Sequence, residues 1–445
     1  MSYTTISFKP SALSVAAGLL AASLSFGASA QNLMSMIEAA RAYDASYLSD
    51  VAAAQATRAT AKQARSGLMP QVALTAQATR STIHRDAPLS DIASQAQQTG
   101  LVATQSLFSA SNIAKFGKAK QGEMAADIQE RAAEQSLMVR VAQAYFDVLT
   151  AQDEYASVRA SKKAAEQQLE AAKRNFEVGN TTITDTREAQ AQFDSIVAQE
   201  IASDNNLRVK ELALAQVTGL QAPTPSPVID ASLPAMPADD MATWVNSAQD
   251  NSAAIALARI RLTNAGYDIT AAKGGHMPTL SLEAGYFKNR SSTRSATSPG
   301  SYNPTSQIAL KFNMPLFAGF AVSNGIDAAV ATESQERANL DKAQRDTVNQ
   351  VKTAYLGLSS GIGQVNALQA ALASSQSALQ ANELGYEVGV RINIDVLNAQ
   401  TNVFKTQAAL AKARYSVLVG GLQLRQAAGT LSIDDVAELN KLITP

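Results

Sequence analysis

Residues Leu384–Asn398 read L-G-Y-E-V-G-V-R-I-N-I-D-V-L-N, and residues Arg174–Glu188 read R-N-F-E-V-G-N-T-T-I-T-D-T-R-E. In each stretch a long helical run ends at Val-Gly, a few polar or β-branched residues follow, and an Asp opens the next helical run. Each reads as a helix-turn-helix tip. Gly179 and Gly389 suit the left-handed residue that closes a helix, and Asp185 and Asp395 sit where a carboxylate favours the next helix's N-terminus.

The two stretches belong to a longer correspondence. Pro70 matches Pro278, Phe108 matches Phe317, Tyr145 matches Tyr355, Ala189-Gln190 matches Ala399-Gln400 and Gly219 matches Gly429, at separations of 208 to 210 positions. So constant an offset marks a duplicated unit, with length changes confined to loops. The expected units are 31–220 and 244–431, joined by a Pro-rich connector, 221–243, and followed by a tail, 432–445. Pro223, Pro225, Pro227, Pro234 and Pro237 forbid a continuous helix in the connector.

Within each unit the hydrophobic period changes twice. Helical runs at about Leu33–Gly67 and Trp244–Gly274 stop before Pro70 and Pro278. After Pro278 the chain alternates, with Leu280, Leu282, Ala284 and Tyr286 on one face and Thr279, Ser281 and Glu283 on the other. Gln307–Met314 alternates the same way, and Gln71–Arg80 with Gly100–Phe108 form a weaker pair. The loops expected between them are Ser81–Thr99 and Asn289–Ser306. Strands of about 9–11 residues, apolar on one side, have the length and pattern that cross a bilayer as a barrel. A soluble sheet lying on a core is the competing reading. Four strands cannot close a barrel, and open edges in lipid cost several kcal/mol per unpaired group. Strands must therefore be pooled, eight from two copies or twelve from three.

Beyond Phe108 and Phe317 the pattern stays helical for about 60–70 residues, far longer than a globular helix. Val351, Leu358, Val365, Leu372, Leu379 and Tyr386 recur every seven residues, and so do Val396, Val403, Leu410, Val417 and Leu424 on the returning helix. Ala399, Thr406, Ala413, Gly420 and Ala427 follow three places on. Large-against-small heptads describe closely packed antiparallel coiled coils.

Residues 1–30 read as a secretory signal peptide: Lys9, an apolar run from Ala12 to Phe26, and the small-x-small site Ala28-Ser29-Ala30. No later stretch is apolar for about 18 residues, which excludes a helical membrane span. The chain has no cysteine, hence no disulfide and no lipid anchor on Cys. Its formal charge of −1 gives no attraction to nucleic acid. With only His84 and His276, no P-loop and no nucleophile elbow, it offers nothing for a metal or triad enzyme, and no cofactor is expected. The two histidines and the pairs Asp239-Asp240 and Asp434-Asp435 read as solvated surface groups.

Taken together, the signal peptide, the repeat, the two hairpins, the long helices and the paired tips resemble the TolC family of outer-membrane channel-tunnels, from about Leu33 to Leu431. The resemblance implies an α+β membrane protein: a homotrimer whose twelve strands close one barrel in outer-membrane lipid and whose helices continue it as a periplasmic coiled-coil tunnel. It implies an inner-membrane transporter, of ABC or RND type, and a periplasmic adaptor that dock at the tip turns Val178, Gly179, Val388 and Gly389. It also implies a gate. Tyr386 and Arg391 match residues that tie the inner coiled coil to its neighbour, and Thr184 and Asp185 match their acceptors. Asp395 matches the first of two aspartates ringing the pore, while the second position is Asn398. That departure leaves one acidic ring. The expected role is export, with type I secretion favoured over dedicated drug efflux. A secreted coiled-coil structural or adhesin protein without a pore is the reading from another class.

Overall fold

The computed structural model describes residues 31–84, 86, 92–179, 181–228, 240–293 and 301–443. The signal peptide, Pro234, Pro237 and Asp239 of the connector, and parts of both hairpin loops lie outside the described residues. Two short helices, α1 (Leu33–Tyr43) and α2 (Ala45–Ala64), lead through a 3-10 turn into strands β1 (Gln71–Ile83) and β2 (Ile92–Phe108). Helix α3 (Ala110–Glu177) then runs 68 residues to the first tip, and α4 (Ile183–Thr218) returns. The order recurs: α5 (Met241–Asn251), α6 (Ala253–Lys273), a 3-10 turn, β3 (Thr279–Thr293), β4 (Ser301–Asn313), α7 (Ala321–Glu387) and α8 (Asn393–Ala427). A final helix, α9 (Ile433–Asn440), closes the described chain.

Both opening runs are broken where a single helix was expected. Asp44 and Ser252 are extended and each serves as an N-cap; the Asp44 carboxylate accepts from Tyr47 N at 2.7 Å and from Arg140 Nη2 at 2.7 Å. A cap residue that also meets a cation on α3 lets the helix bend round the bundle.

Pairing extends the strands past their amphipathic cores, so the hairpin loops are shorter than expected. β1 and β2 stay in register from Gln71↔Thr104 to Ile83↔Ile92, and β3 and β4 from Thr279↔Asn313 to Ser291↔Ser301. Backbone ladder bonds hold these polar ends in strand without help from side-chain alternation. Pro304 is accommodated because β4 is an edge strand. The first hairpin maps onto the second with Gln71 on Thr279 and Thr104 on Asn313, in step with the sequence landmarks Pro70/Pro278 and Phe108/Phe317.

The four strands form one antiparallel sheet in the order β1-β2-β3-β4, with β1 and β4 as free edges. Among the described residues it rests on no helix. Every residue of β1 is exposed, and Val72, Leu74, Ile308, Leu310 and Phe312 are 64–81% exposed. Among the described residues nothing covers this apolar face, so in the lone chain the sheet does not lie on a core.

The core lies instead among the helices. One cluster joins α1, α3, α4, α8 and α9 through Met36, Leu137, Tyr145, Phe146, Leu214 and Leu422. The segment expected as a tail contributes to it: Val436, Leu439 and Ile443 are buried. Nor are its acids simply solvated. Asp435 pairs with Arg425 and completes a capping box with Ser432, and Asp240 caps α5 through Thr243 N at 2.8 Å. The described connector is tied in as well, since Gln31 N donates to Thr224 O at 2.8 Å and the buried Tyr145 hydroxyl donates to Ser226 O at 2.7 Å.

A second cluster is the expected heptad seam of α7 and α8, with Val351, Leu358, Val365, Leu410, Val417 and Leu424 buried. Small residues set its spacing: a Cβ on Gly361 would lie 3.0 Å from a Val417 methyl. Among the described residues, no helix is long and apolar enough to cross a membrane.

Candidate gate at the paired helical tips

The first tip is built around a cap. α3 ends at Glu177, Val178 follows, and Gly179 takes φ 80°, the left-handed region that favours glycine. Thr182 is the N-cap of α4. Its hydroxyl accepts from Asp185 N at 3.3 Å, while the Asp185 carboxylate accepts from Thr182 N at 3.0 Å and from the Thr181 hydroxyl. This is a capping box. The Thr181 hydroxyl, followed by the Thr182 amide, holds the Asp185 carboxyl below its ordinary value of 3.8. Thr184 is exposed beside it on the first turn.

The second tip has the same turn and a different chemistry. Gly389 takes φ 77°, and Val390 N and Arg391 N both donate to Gly385 O, at 2.8 and 3.0 Å. Gly385 leaves room for this turn, since a Cβ there would lie 2.7 Å from Arg391 Cγ and force that side chain to shift. The N-cap of α8 is Ile392, whose side chain cannot accept a hydrogen bond, so no capping box forms. Asp395 therefore keeps its carboxylate out of a cap. Its partner is Arg391, 3.7 Å away and 58% exposed, a long i,i+4 contact in solvent. Asn398 is exposed one turn on.

The expected Arg391–Asp185 pair is not made within the chain: the cap occupies Asp185, and Arg391 turns back to Asp395. The two tips are joined by other groups. The Tyr386 hydroxyl accepts from Asn175 Nδ2 at 3.3 Å, crossing from α7 to α3. Below it, Leu397 and Ile394 of α8 pack on Ala165, Leu169, Ala172, Ala189 and Ile196 of the first coiled coil. Asn393, at the start of α8, is buried, its Oδ1 without a hydrogen-bond partner. Asn175 was missed by sequence reading. The only signal is its place beside Phe176 in the quoted stretch, and asparagine is too common on helix surfaces for that to stand out.

Apolar residues crowd the outside of both tips. Val178, Val388, Val390, Ile392 and Ile183 are 49–78% exposed. Among the described residues no cluster of three His, Cys, Asp or Glu side chains could hold a metal, and His84 and His276 are exposed.

The family model described as "Outer membrane efflux protein" matches the chain twice, over residues 36–220 and again over 244–430. The chain belongs to the outer membrane efflux proteins of the TolC family. It is similar to the outer membrane protein TolC of Vibrio cholerae, 34% identical over 92% of this chain and 93% of that protein. It is also similar to the proteases secretion protein PrtF of Dickeya chrysanthemi, 29% identical over 74% of this chain and 72% of that one. Among solved structures, the Campylobacter jejuni CmeC outer membrane channel superposes with a TM-score of 0.78 over 93% of this chain and 90% of that chain, at 17% identity, a likeness of fold. This TolC-family chain is thus an outer-membrane channel protein of a Gram-negative bacterium, of the type that serves efflux and secretion.

Proposed function

We propose that the chain is the outer-membrane channel of a tripartite export system, working as a homotrimer in which twelve strands close one barrel and the coiled coils continue it as a gated periplasmic tunnel. One observation carries this reading: a four-stranded sheet with an uncovered apolar face and two free edges. In water the face is exposed, and in lipid the edges are unpaired. Both are resolved when copies join edge to edge within a bilayer. Twelve strands follow the family, as does a partner set of an adaptor and an inner-membrane transporter. The exposed valines and isoleucines at both tips supply an apolar docking surface for the adaptor. Transport is driven by the transporter, so the channel needs no chemistry of its own.

Type I secretion is the favoured branch, supported by the relative named for protease secretion. The test is electrical. Detergent-purified protein added to a planar bilayer should give discrete conductance steps and a trimeric mass. A water-soluble monomer, or fibres without conductance, would overturn the reading in favour of a structural protein.

A further inference from the structure

The trimer reading leaves open how neighbouring copies meet, and the chain contains an internal example of that junction. β3 is the counterpart of β1 and β4 the counterpart of β2, because the two hairpins map residue by residue: Gln71 on Thr279, Thr104 on Asn313. The β2–β3 pair, where the first repeat meets the second, is therefore a template for β4 of one copy meeting β1 of the next. We propose that β4 pairs with the next copy's β1 in the register of that template, and that Met314–Phe317, irregular in the lone chain, become strand as they do so. This rests on the trimer reading and adds to it the residues that face each other.

The translation is direct. Ala103↔Ala284 in the template becomes Phe312 opposite Ala76, Leu101↔Tyr286 becomes Leu310 opposite Ala78, and Gln105↔Leu282 becomes Met314 opposite Leu74. Each places large against small or apolar against apolar on the face that meets lipid. An independent constraint agrees. A slip of one residue would set Phe312 against Thr75 or Gln77 and bring a polar row to the lipid face. Slips of two residues keep the faces, so only the template distinguishes them.

The template also explains an exposed patch. β1 begins at Gln71 opposite Thr104, so Gln105–Phe108 have no partner on β1 and are held in strand by β3. Their counterparts are Met314–Phe317, which follow the end of β4 at Asn313 with no strand to pair with. Met314, Leu316 and Phe317 are 46%, 91% and 76% exposed there. The next copy's Val72–Leu74 would give them the missing partner. The bulge between Ser106 and Phe108 translates to Pro315 and Phe317, which puts Pro315, with no N–H to donate, beside a break in the ladder.

A chain without cysteine makes disulfide trapping clean. In one copy, positions 76 and 312 lie on opposite edges of the sheet and at different levels, since Ala76 aligns through Thr99 and Lys288 with Pro304; three strand spacings and the offset along the strand put them roughly 30 Å apart, beyond the reach of a disulfide. The double variant Ala76→Cys, Phe312→Cys should therefore run, after mild oxidation, as a reducible covalent trimer on denaturing gels. The pair Leu74→Cys, Met314→Cys should do the same, reporting strand beyond Asn313. Ala76→Cys combined with Leu310→Cys or with Met314→Cys, shifted by two residues either way, should stay monomeric on the gel. Ala103→Cys, Ala284→Cys closes within one chain and shows that the oxidant reaches this level of the sheet. Trimers that link only in a shifted pair, or in none while the control closes, would overturn the register and leave the trimer standing. Linkage at 76/312 without 74/314 would overturn the strand extension. Monomers in detergent would overturn the trimer reading and the register together.

Discussion

At the scale of single residues, one of the differences between the two tips has large consequences. Thr182 caps its helix and draws Asp185 into a box, whereas Ile392 at the matching place cannot, and Asp395 stays available to solvent and to ions. Because Asp185 has its carboxyl held down in the folded tip, its capping contribution is complete above the ordinary value of 3.8 and is lost as pH falls through the depressed folded value. Hydrogen exchange of the 178–188 segment should accelerate in that acid window, and in Asp185→Asn it should be fast at neutral pH already. Thr182→Ala should loosen the same segment by about 1 kcal/mol, read from the same exchange. The pairing of Asp185 and Asp395 as helix-start acids was legible in the sequence. The inequality of their environments was not, because it depends on which neighbouring side chain can accept a hydrogen bond in the folded turn.

Among elements, the joint between the coiled coils is what a gate has to work against. The Asn175–Tyr386 hydrogen bond and the Leu397 contact tie α7 and α8 to the first repeat, the half-buried hydrogen bond being worth about 0.5–1.5 kcal/mol. In the proposed trimer three such sets would bias closure by a few kcal/mol, small enough for a docking partner to reverse. Replacing Tyr386 by Phe and Arg391 by Ala together should raise single-channel conductance in planar bilayers, and Asn175→Ala should shift it in the same direction by less. Unchanged conductance in the double variant would remove these residues from the gate. The seam within the second coiled coil answers to packing instead. Leu358 is 5% exposed, and Leu358→Ala should lower stability by about 2–5 kcal/mol, seen as a lower melting temperature of the detergent-solubilised protein. The seven-residue period showed this seam in advance, since it repeats over many turns. The breaks at Asp44 and Ser252 were hidden, because a capping residue in mid-run resembles any other polar residue on a helix.

For the whole molecule, the charge of the entrance and the closure of the wall are collective properties. In the proposed trimer three copies of Asp395 would stand round a narrow axis and favour cations, so Asp395→Asn should reduce cation preference, measured as a smaller reversal potential across a salt gradient. The sequence by itself determined the repeat, the strand faces, the coiled-coil seam and the tips, because each is a local period or a short turn whose cause lies within neighbouring residues. It began β4 at Gln307 and left 432–445 as a tail, whereas the tertiary structure carries the strand back to Ser301 and packs α9 on the bundle. Strand ends are set by which residues find a ladder partner, and the last helix is held by apolar contacts with α1 and α3, far away in the chain, as well as with the neighbouring α8. That the sheet stands clear of its own helices was likewise decided only by the fold, since alternation of apolar and polar residues looks the same whether the apolar face meets a core or lipid.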